Sequence, residues 1–347
     1  MKDDAKLTTG TVGQKHGAGG VAMRKLVKDV FIDAIAAPDP LVLVNLSDMD
    51  DGAVIRVGDR NVVMTTDSYV VKPLFFPGGD IGRVAVSGTV NDLAMMGGVE
   101  VLGLGLSVIL EEGFPLELLV RIRDSIVSTC REAGVNIVTG DTKVMGKGEV
   151  DGIVINTSGT ALADRVVRDN GLRVGDRLLV SGTLGDHGFA VMVARHALSL
   201  EGDLRSDVAP LGGLVRAVLA AGGEGLVAMK DPTRGGLASA LSEMAGKAGV
   251  GVLLDEPSIP VRPEVRAASE LIGIDPLLVA NEGKLVIGVR PDVADAVLAA
   301  MRAHPLGKDA AIIGTCVAER PGGIVLDTGF GRRLLAEPDG ELLPRIC

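Results

Sequence analysis

The chain has 347 residues, 47% of them hydrophobic, and a formal net charge of −10 at pH 7. That is enough apolar sequence for two ordinary cores, and it excludes a largely disordered protein. Aromatic residues make up 2% of the chain, which supplies a base-stacking platform poorly, and the negative charge with no Lys/Arg run longer than two argues against a nucleic-acid surface.

In chain order, the first 20 residues are polar and lack the apolar stretch of a signal peptide. Apolar residues at 23, 26, 27, 30, 31 and 34 have helical spacing over 21–35. A strand is expected at 61–67, a helix at 81–97 and a buried strand at 101–110. That strand holds the longest apolar run, which is too short and glycine-broken to span a bilayer. Pro115 then opens a helix that Gly134 stops. Residues 135–142 read as a strand running into a loop, and 143–162 as a hairpin closed near "GKGE". After a polar connector at 167–177, strands are expected at 177–183, 225–231, 284–290 and 310–317. Helices are expected at 188–199, 211–221, 234–249 and 291–303, with a short strand from 321. The order of strand, proline-started helix and strand occurs in both halves, which suggests two α+β domains meeting near 163–175.

Carboxylates recur where expected strands and helices end: "SDMDDGAV", "TTDS", "VNDLA", "TGDTK" and "MKDPTRGG". Hard cations such as Mg2+ take oxygen ligands of this kind together with nucleotide phosphates. An isolated Asp beside Gly or Thr is more often a turn or cap. Asp92 differs, because it falls on the same helix face as Ile81, Ala85 and Gly88, where a carboxylate needs a partner. No P-loop sequence exists. "GAGGVA" fits a dinucleotide-binding pattern by its letters, but no apolar strand precedes it, and a glycine-rich flap over a phosphate is the better reading. The four histidines have no metal-ligand spacing, and His187 in "GTLGDHG" reads as a turn or cap.

Cysteines 130, 316 and 347 form no CxxC pair and are odd in number, as in a reducing cytoplasm without a disulfide framework. Cys130 lies on an apolar helix stripe and Cys316 inside an expected strand, so both read as core. Cys347 is the last residue. It is either a frayed end or a working thiol on an arm, and eleven extended residues would reach ~35 Å. Arg345 would favour its thiolate and the terminal carboxylate would oppose it.

Taken together, "HGAGG", "TTDSYVVKPLFFPGGDIGRVAVSGTVNDLAMMG", "VTGDTKV", "VSGTLGDHG", "KDPTRGGL", "ANEGKLV" and terminal "PRIC" resemble the hydrogenase maturation factor HypE family, over essentially the whole chain. That family belongs to the superfamily of aminoimidazole ribonucleotide (AIR) synthetase and selenophosphate synthetase. The resemblance implies an α+β, two-domain PurM-like (AIR synthase-like) fold, with the N-terminal sheet shared across a homodimer and a flexible C-terminal tail. The corresponding segments are 1–40 (glycine-rich segment and helix), 41–165 (ATP-binding and dimerisation), 172–320 (second α+β domain) and 321–347 (strand and tail).

The implied activity is ATP-dependent dehydration of an S-carboxamide, placed on the terminal cysteine by the carbamoyltransferase HypF, to an S-cyanate. Cyanide then passes to iron on a HypC–HypD complex, towards [NiFe]-hydrogenase. An amide oxygen leaves poorly until it is phosphorylated. The reaction therefore calls for Mg2+, a base near the amide nitrogen and a cation near the developing charge. The family pattern assigns Asp51, Asp67, Asp92 and Asp231 to metal and nucleotide, and Asn91 and Asp141 to nucleotide. It assigns Lys143 and Glu282 to the carboxamide proton and charge, and makes Cys347 the carrier thiol. The bland readings are a solvated hairpin lysine for Lys143 and a turn residue for Glu282. Selenophosphate synthetase is a second enzyme reading, disfavoured because "QKHGAGG" has no cysteine. A non-catalytic carrier would leave the carboxylate set without a task.

Overall fold

The structure is a computed structural model that describes residues 6–7, 9–17, 19–35, 39–198, 200–338 and 346–347. Helix α1 (Gly20–Leu26) runs through a π-helical turn (Val27–Ile32) into α2 (Asp33–Ile35), so the expected helix at 21–35 forms as one helical segment.

The first sheet is built from β1 (Val42–Val44), β2 (Ala53–Val57), β3 (Arg60–Tyr69), β6 (Glu100–Glu111), β7 (Ile137–Met145) and β8 (Ile153–Ala163). The two-residue strands β4 (Phe75–Phe76) and β5 (Gly79–Asp80) pair apart from it. Its strand order is β1-β2-β3-β8-β6-β7. Helices α3 (Ile81–Met95) and α4 (Leu116–Ala133) lie on one face. Gly134 stops α4 in the left-handed conformation, φ 69°. Strand residues alternate between faces. On β8, Ile153, Ile155, Thr157, Gly159 and Ala161 are buried, while Val154, Asn156, Ser158, Thr160 and Leu162 point to the opposite, more accessible face.

The hairpin expected at 143–162 does not form. β7 pairs in parallel with β6, and β8 is antiparallel to both β6 and β3. β6 is thus wedged between the two, and only an isolated bridge joins Lys147 to Val150. The loop is shaped instead by Glu111, whose carboxylate accepts the Gly148 and Gly152 amides at 2.8 and 3.1 Å.

The second sheet contains β9 (Arg177–Val180), β10 (Leu226–Lys230), β11 (Gly251–Asp255), β12 (Val286–Val289), β13 (Ala311–Val317), β14 (Ile324–Asp327) and β15 (Arg332–Leu334). Their order is β10-β12-β9-β13-β11-β14-β15. Helix α7 (Gly236–Ala248) buries Leu237, Leu241 and Met244 against one face with Leu178 and Val180. On the other face, α6 (Gly212–Gly222) and α9 (Ala294–Ala303) pack on Leu179 and Ile287. The repeated strand–helix–strand order is realised differently in the two halves. β6 and β7 are parallel neighbours, whereas β12 and β13 flank β9 and are each antiparallel to it.

Apolar packing joins the halves at two places among the described residues. Ala94 and Met95, at the end of α3, enter the core of α6 and α9. Helix α5 (Asp186–Arg195) and α8 (Pro263–Ile272) add Phe189 and Val265 to the first core, which also holds Phe76 and Ile346. Cys130 and Cys316 are buried, as expected of core residues. Among the described residues no helix is long and apolar enough to cross a membrane. Pro344 and Arg345 of the terminal motif lie outside the described residues.

Candidate active site

A cavity of about 610 Å3 opens where the end of β3, one face of α3, the end of β10 and the 280–284 loop converge. Its lining includes Asp50, Asp51, Asp67, Asp92, Asp231 and Glu282. Local sequence explains several of these placements. Asp92 emerges one helical turn after Gly88, which also lines the cavity. Gly88 has no Cβ because one there would stand 2.4 Å from the Tyr69 hydroxyl. The Thr65 hydroxyl donates to Asp92 Oδ2 at 3.0 Å. Asp51 is bound by the Lys230 ammonium, which also lies 3.5 Å from Glu243 and 3.8 Å from Asp169.

Crowding of carboxylates out of water dominates the electrostatics. Burial pushes Asp231 up to about 8, with repulsion from Asp51 and Asp67 adding to it. Asp50 is pushed to about 7 by burial and by Asp169 and Asp51. Asp92 stands well above the usual carboxylate range through burial and the proximity of Asp231, Asp67 and Asp51. Burial also raises Asp51 and Asp67, against the pull of Lys230 and Arg234 respectively. Asp51 Oδ2 and Glu282 Oε1 are buried without a hydrogen-bond partner. A site that gathers this much latent negative charge fits a cationic guest. Among the described residues no three acidic, histidine or cysteine side chains converge as a ready-made metal cage. Magnesium held by one or two carboxylates plus nucleotide phosphates needs no such cage.

Cys347 completes the lining. Its thiol shares the cavity with the Glu282 carboxyl, and burial followed by Glu282 raises it well above the ordinary thiol range. The Arg234 guanidinium pulls in the other direction. Two polar contacts hold the chain end here. The Cys347 terminal carboxylate accepts the Val70 amide at 3.3 Å, and the Ile346 carbonyl lies 2.6 Å from His187 Nε2.

The fold thus assembles Asp51, Asp67, Asp92, Asp231, Glu282 and Cys347 around one cavity. Three residues singled out from sequence stand elsewhere. Asn91 is buried with its amide turned to backbone: it donates to Ala209 O at 3.1 Å and Glu282 O at 3.3 Å, and accepts Leu211 N–H at 2.7 Å. Asp141 and Lys143 are exposed on edge strand β7, in register with Ser107 and Ile109 on the accessible sheet face. Sequence reasoning passed over Arg234 and Lys230, although both stand beside Asp231 in "KDPTRGG". The glycine-rich segment does reach the site. Gly19, at φ 77°, lines the cavity so closely that a Cβ would touch Arg234 at 3.0 Å. No strand precedes it among the described residues, so the dinucleotide-binding pattern there is one of letters only.

Comparison with known proteins gives this geometry its context. Residues 49–163 match the AIR synthase related protein N-terminal domain, and residues 173–327 match the C-terminal domain. Carbamoyl dehydratase HypE of Rhizobium leguminosarum bv. viciae is 49% identical over 98% of this chain and 96% of its own. The crystal structure of a HypE–HypF complex superposes with a TM-score of 0.83 at 44% identity, covering 90% of this chain and 99% of the other. HypE in complex with ATP superposes with a TM-score of 0.79 at 40% identity, covering 97% of this chain and all (100%) of the other. With both AIR synthase related domains in place, and likeness from end to end, the chain belongs to the carbamoyl dehydratase HypE family.

Proposed function

We propose that the protein dehydrates an S-carboxamide on its own Cys347 to an S-cyanate, using ATP, and so supplies cyanide ligands for the iron of [NiFe]-hydrogenase. One observation carries this reading: the terminal thiol shares a cavity with Glu282, with Arg234 pulling on it, and Asp50, Asp51, Asp67, Asp92 and Asp231 line the same cavity. A frayed chain end would have no reason to be there.

Cys347 carries the carboxamide in place of its thiol proton. ATP supplies the phosphoryl group that turns the amide oxygen into a leaving group. Glu282 is the base for the amide nitrogen. Burial and its acidic neighbours raise it, so it holds a proton more firmly than a solvated carboxylate does. Arg234 holds positive charge beside the reacting sulfur and Glu282. Asp51, Asp67, Asp92 and Asp231 are the residues that would hold magnesium, which when bound neutralises charge on the nucleotide phosphates. Lys230 keeps Asp51 in place.

Asp141 and Lys143 do not reach this cavity within one chain. They fit the reading if a second copy covers the accessible face of the first sheet and the homodimer brings them to the subunit boundary. HypF is the partner that fits the loading step, and a HypC–HypD complex is the acceptor that fits the delivery step.

Intact mass tests the reading. Incubated with the carbamoylating partner and carbamoyl phosphate, the protein should gain one carboxamide, and then lose one water when ATP is added. Cys347→Ala should do neither. Water loss from that variant would refute the assignment of the terminal thiol.

A further inference from the structure

His187 is fully buried at the second position of α5, and nothing in the proposed chemistry uses it. Its ring stands edge-on to Phe76, centroids 5.4 Å apart and 86° between planes. Nε2 lies 2.6 Å from the Ile346 carbonyl oxygen, and Nδ1 lies 2.8 Å from Ser206 Oγ. A carbonyl can only accept, so Nε2 carries the proton. Ser206 Oγ already accepts the Val208 amide at 3.1 Å, which leaves its own proton free for Nδ1. Burial lowers the histidine, favouring this neutral form, although Asp207 nearby opposes that effect. The chain Val208 N–H, Ser206, His187, Ile346 therefore has one consistent direction and ends on the peptide next to the reacting cysteine.

We infer that His187 is a positioning residue, which docks the C-terminal peptide by donating to the Ile346 carbonyl and so sets the Cys347 sulfur against Glu282. The inference rests on the proposed role of Cys347 as carrier. The carbonyl of residue 346 does not change when the thiol is loaded, so the same bond serves the free and the carbamoylated tail. The Ile346 side chain, 6% exposed, fills the core shared with Phe76, and the Val70 amide donates to the Cys347 terminal carboxylate. Donor, apolar plug and second bond together fix both position and direction. His187, sitting at a helix start, has the look of a cap in the sequence, but its actual partner is 159 residues away.

The test compares wild type with His187→Phe, His187→Gln and Ser206→Ala. Phe keeps the ring and loses the donor, whereas Gln keeps an N–H near the Nε2 position. In the unloaded protein, iodoacetamide labelling of Cys347 is followed by peptide mass spectrometry, with buried Cys130 and Cys316 as internal controls of folding. In the carbamoylated protein, single-turnover water loss is followed at saturating ATP. One lost buried hydrogen bond should speed Cys347 labelling by about ten- to a hundredfold in His187→Phe, and slow dehydration comparably. The KM for ATP and loading by the carbamoylating partner should stay unchanged, and His187→Gln should recover most of the rate. Wild-type labelling and wild-type water loss in His187→Phe would overturn the inference. If His187→Phe also exposes Cys130 and Cys316, Ser206→Ala decides: faster labelling of Cys347 alone supports the docking role, and unchanged labelling overturns it. Failure of the wild type itself to lose water would instead refute the proposed function, and the labelling comparison would still judge the docking bond.

Discussion

Asn91 donates its side-chain amide to the backbone carbonyl of Glu282, 3.3 Å away, and so ties helix α3 to the loop that carries the proposed base. The same amide holds Ala209 O and Leu211 N–H, so three buried backbone groups depend on one side chain. Its neighbour Asp92 points into the cavity instead. These adjacent residues should therefore behave in opposite ways. Asn91→Ala should cost about 2–4 kcal/mol of stability, because it leaves buried polar groups unpaired. Asp92→Asn should leave stability equal or raised, since it relieves carboxylate crowding, while weakening the use of Mg-ATP and leaving the tail open to loading. Urea unfolding and ATP turnover on both variants separate the two roles. Equal destabilisation would contradict this division of labour.

Gly88 fixes how near Tyr69 can approach α3. An alanine Cβ there would stand 2.4 Å from the Tyr69 hydroxyl, which also pairs with Thr89 Oγ1 at 3.2 Å. Gly88→Ala should cost about 1–3 kcal/mol as an overpacked core position. It should also raise the KM for ATP, because Tyr69 lines the cavity. A variant of wild-type stability and wild-type KM would contradict the close packing described.

Much of the site was legible because helix periodicity is local. Spacing alone put Asp92 on the face of Ala85 and Gly88, and the structure places Gly88 and Asp92 in the cavity lining while Ala85 is buried in the core. What depends on long-range pairing was not legible. The segment 143–162 has the composition of a hairpin, but β6, more than 30 residues earlier, lies between its two strands. That placement puts Asp141 and Lys143 on an exposed edge strand rather than in a loop near the carboxylates. Asn91 looked like a ligand because it adjoins Asp92. A rotation of one residue along a helix is enough to point it at backbone instead. His187 and Arg234 lacked a sequence signal of their own, because their meaning comes from the docked chain end.

Lys143 gives a direct test of assembly. If it acts across a subunit boundary, a Lys143→Ala chain and a Cys347→Ala chain, each inactive alone, should complement one another when co-expressed with different tags. Water should then be lost from the cysteine of the Lys143→Ala chain only, as read by intact mass. No recovery in the mixed dimer would contradict action across the boundary.

Buried His187 should leave a mark on acid stability. Its native value lies below the ordinary 6.5, chiefly through burial, so the unfolded chain binds more protons as pH falls below 6.5. Its contribution to stability is therefore complete above 6.5 and is lost as pH falls from there through the lowered native value. His187→Gln cannot titrate and should lose less stability than wild type over that interval. Parallel stability curves would contradict a neutral, buried imidazole.

Transfer of oxygen from the carboxamide to phosphate is the central chemical claim. Protein loaded on Cys347 with a carboxamide carrying heavy oxygen, then given ATP for a single turnover, should deliver that label to inorganic phosphate, one atom for each cyanate formed. Label recovered in water with unlabelled phosphate would contradict phosphorylation of the amide oxygen and the mechanism built on it.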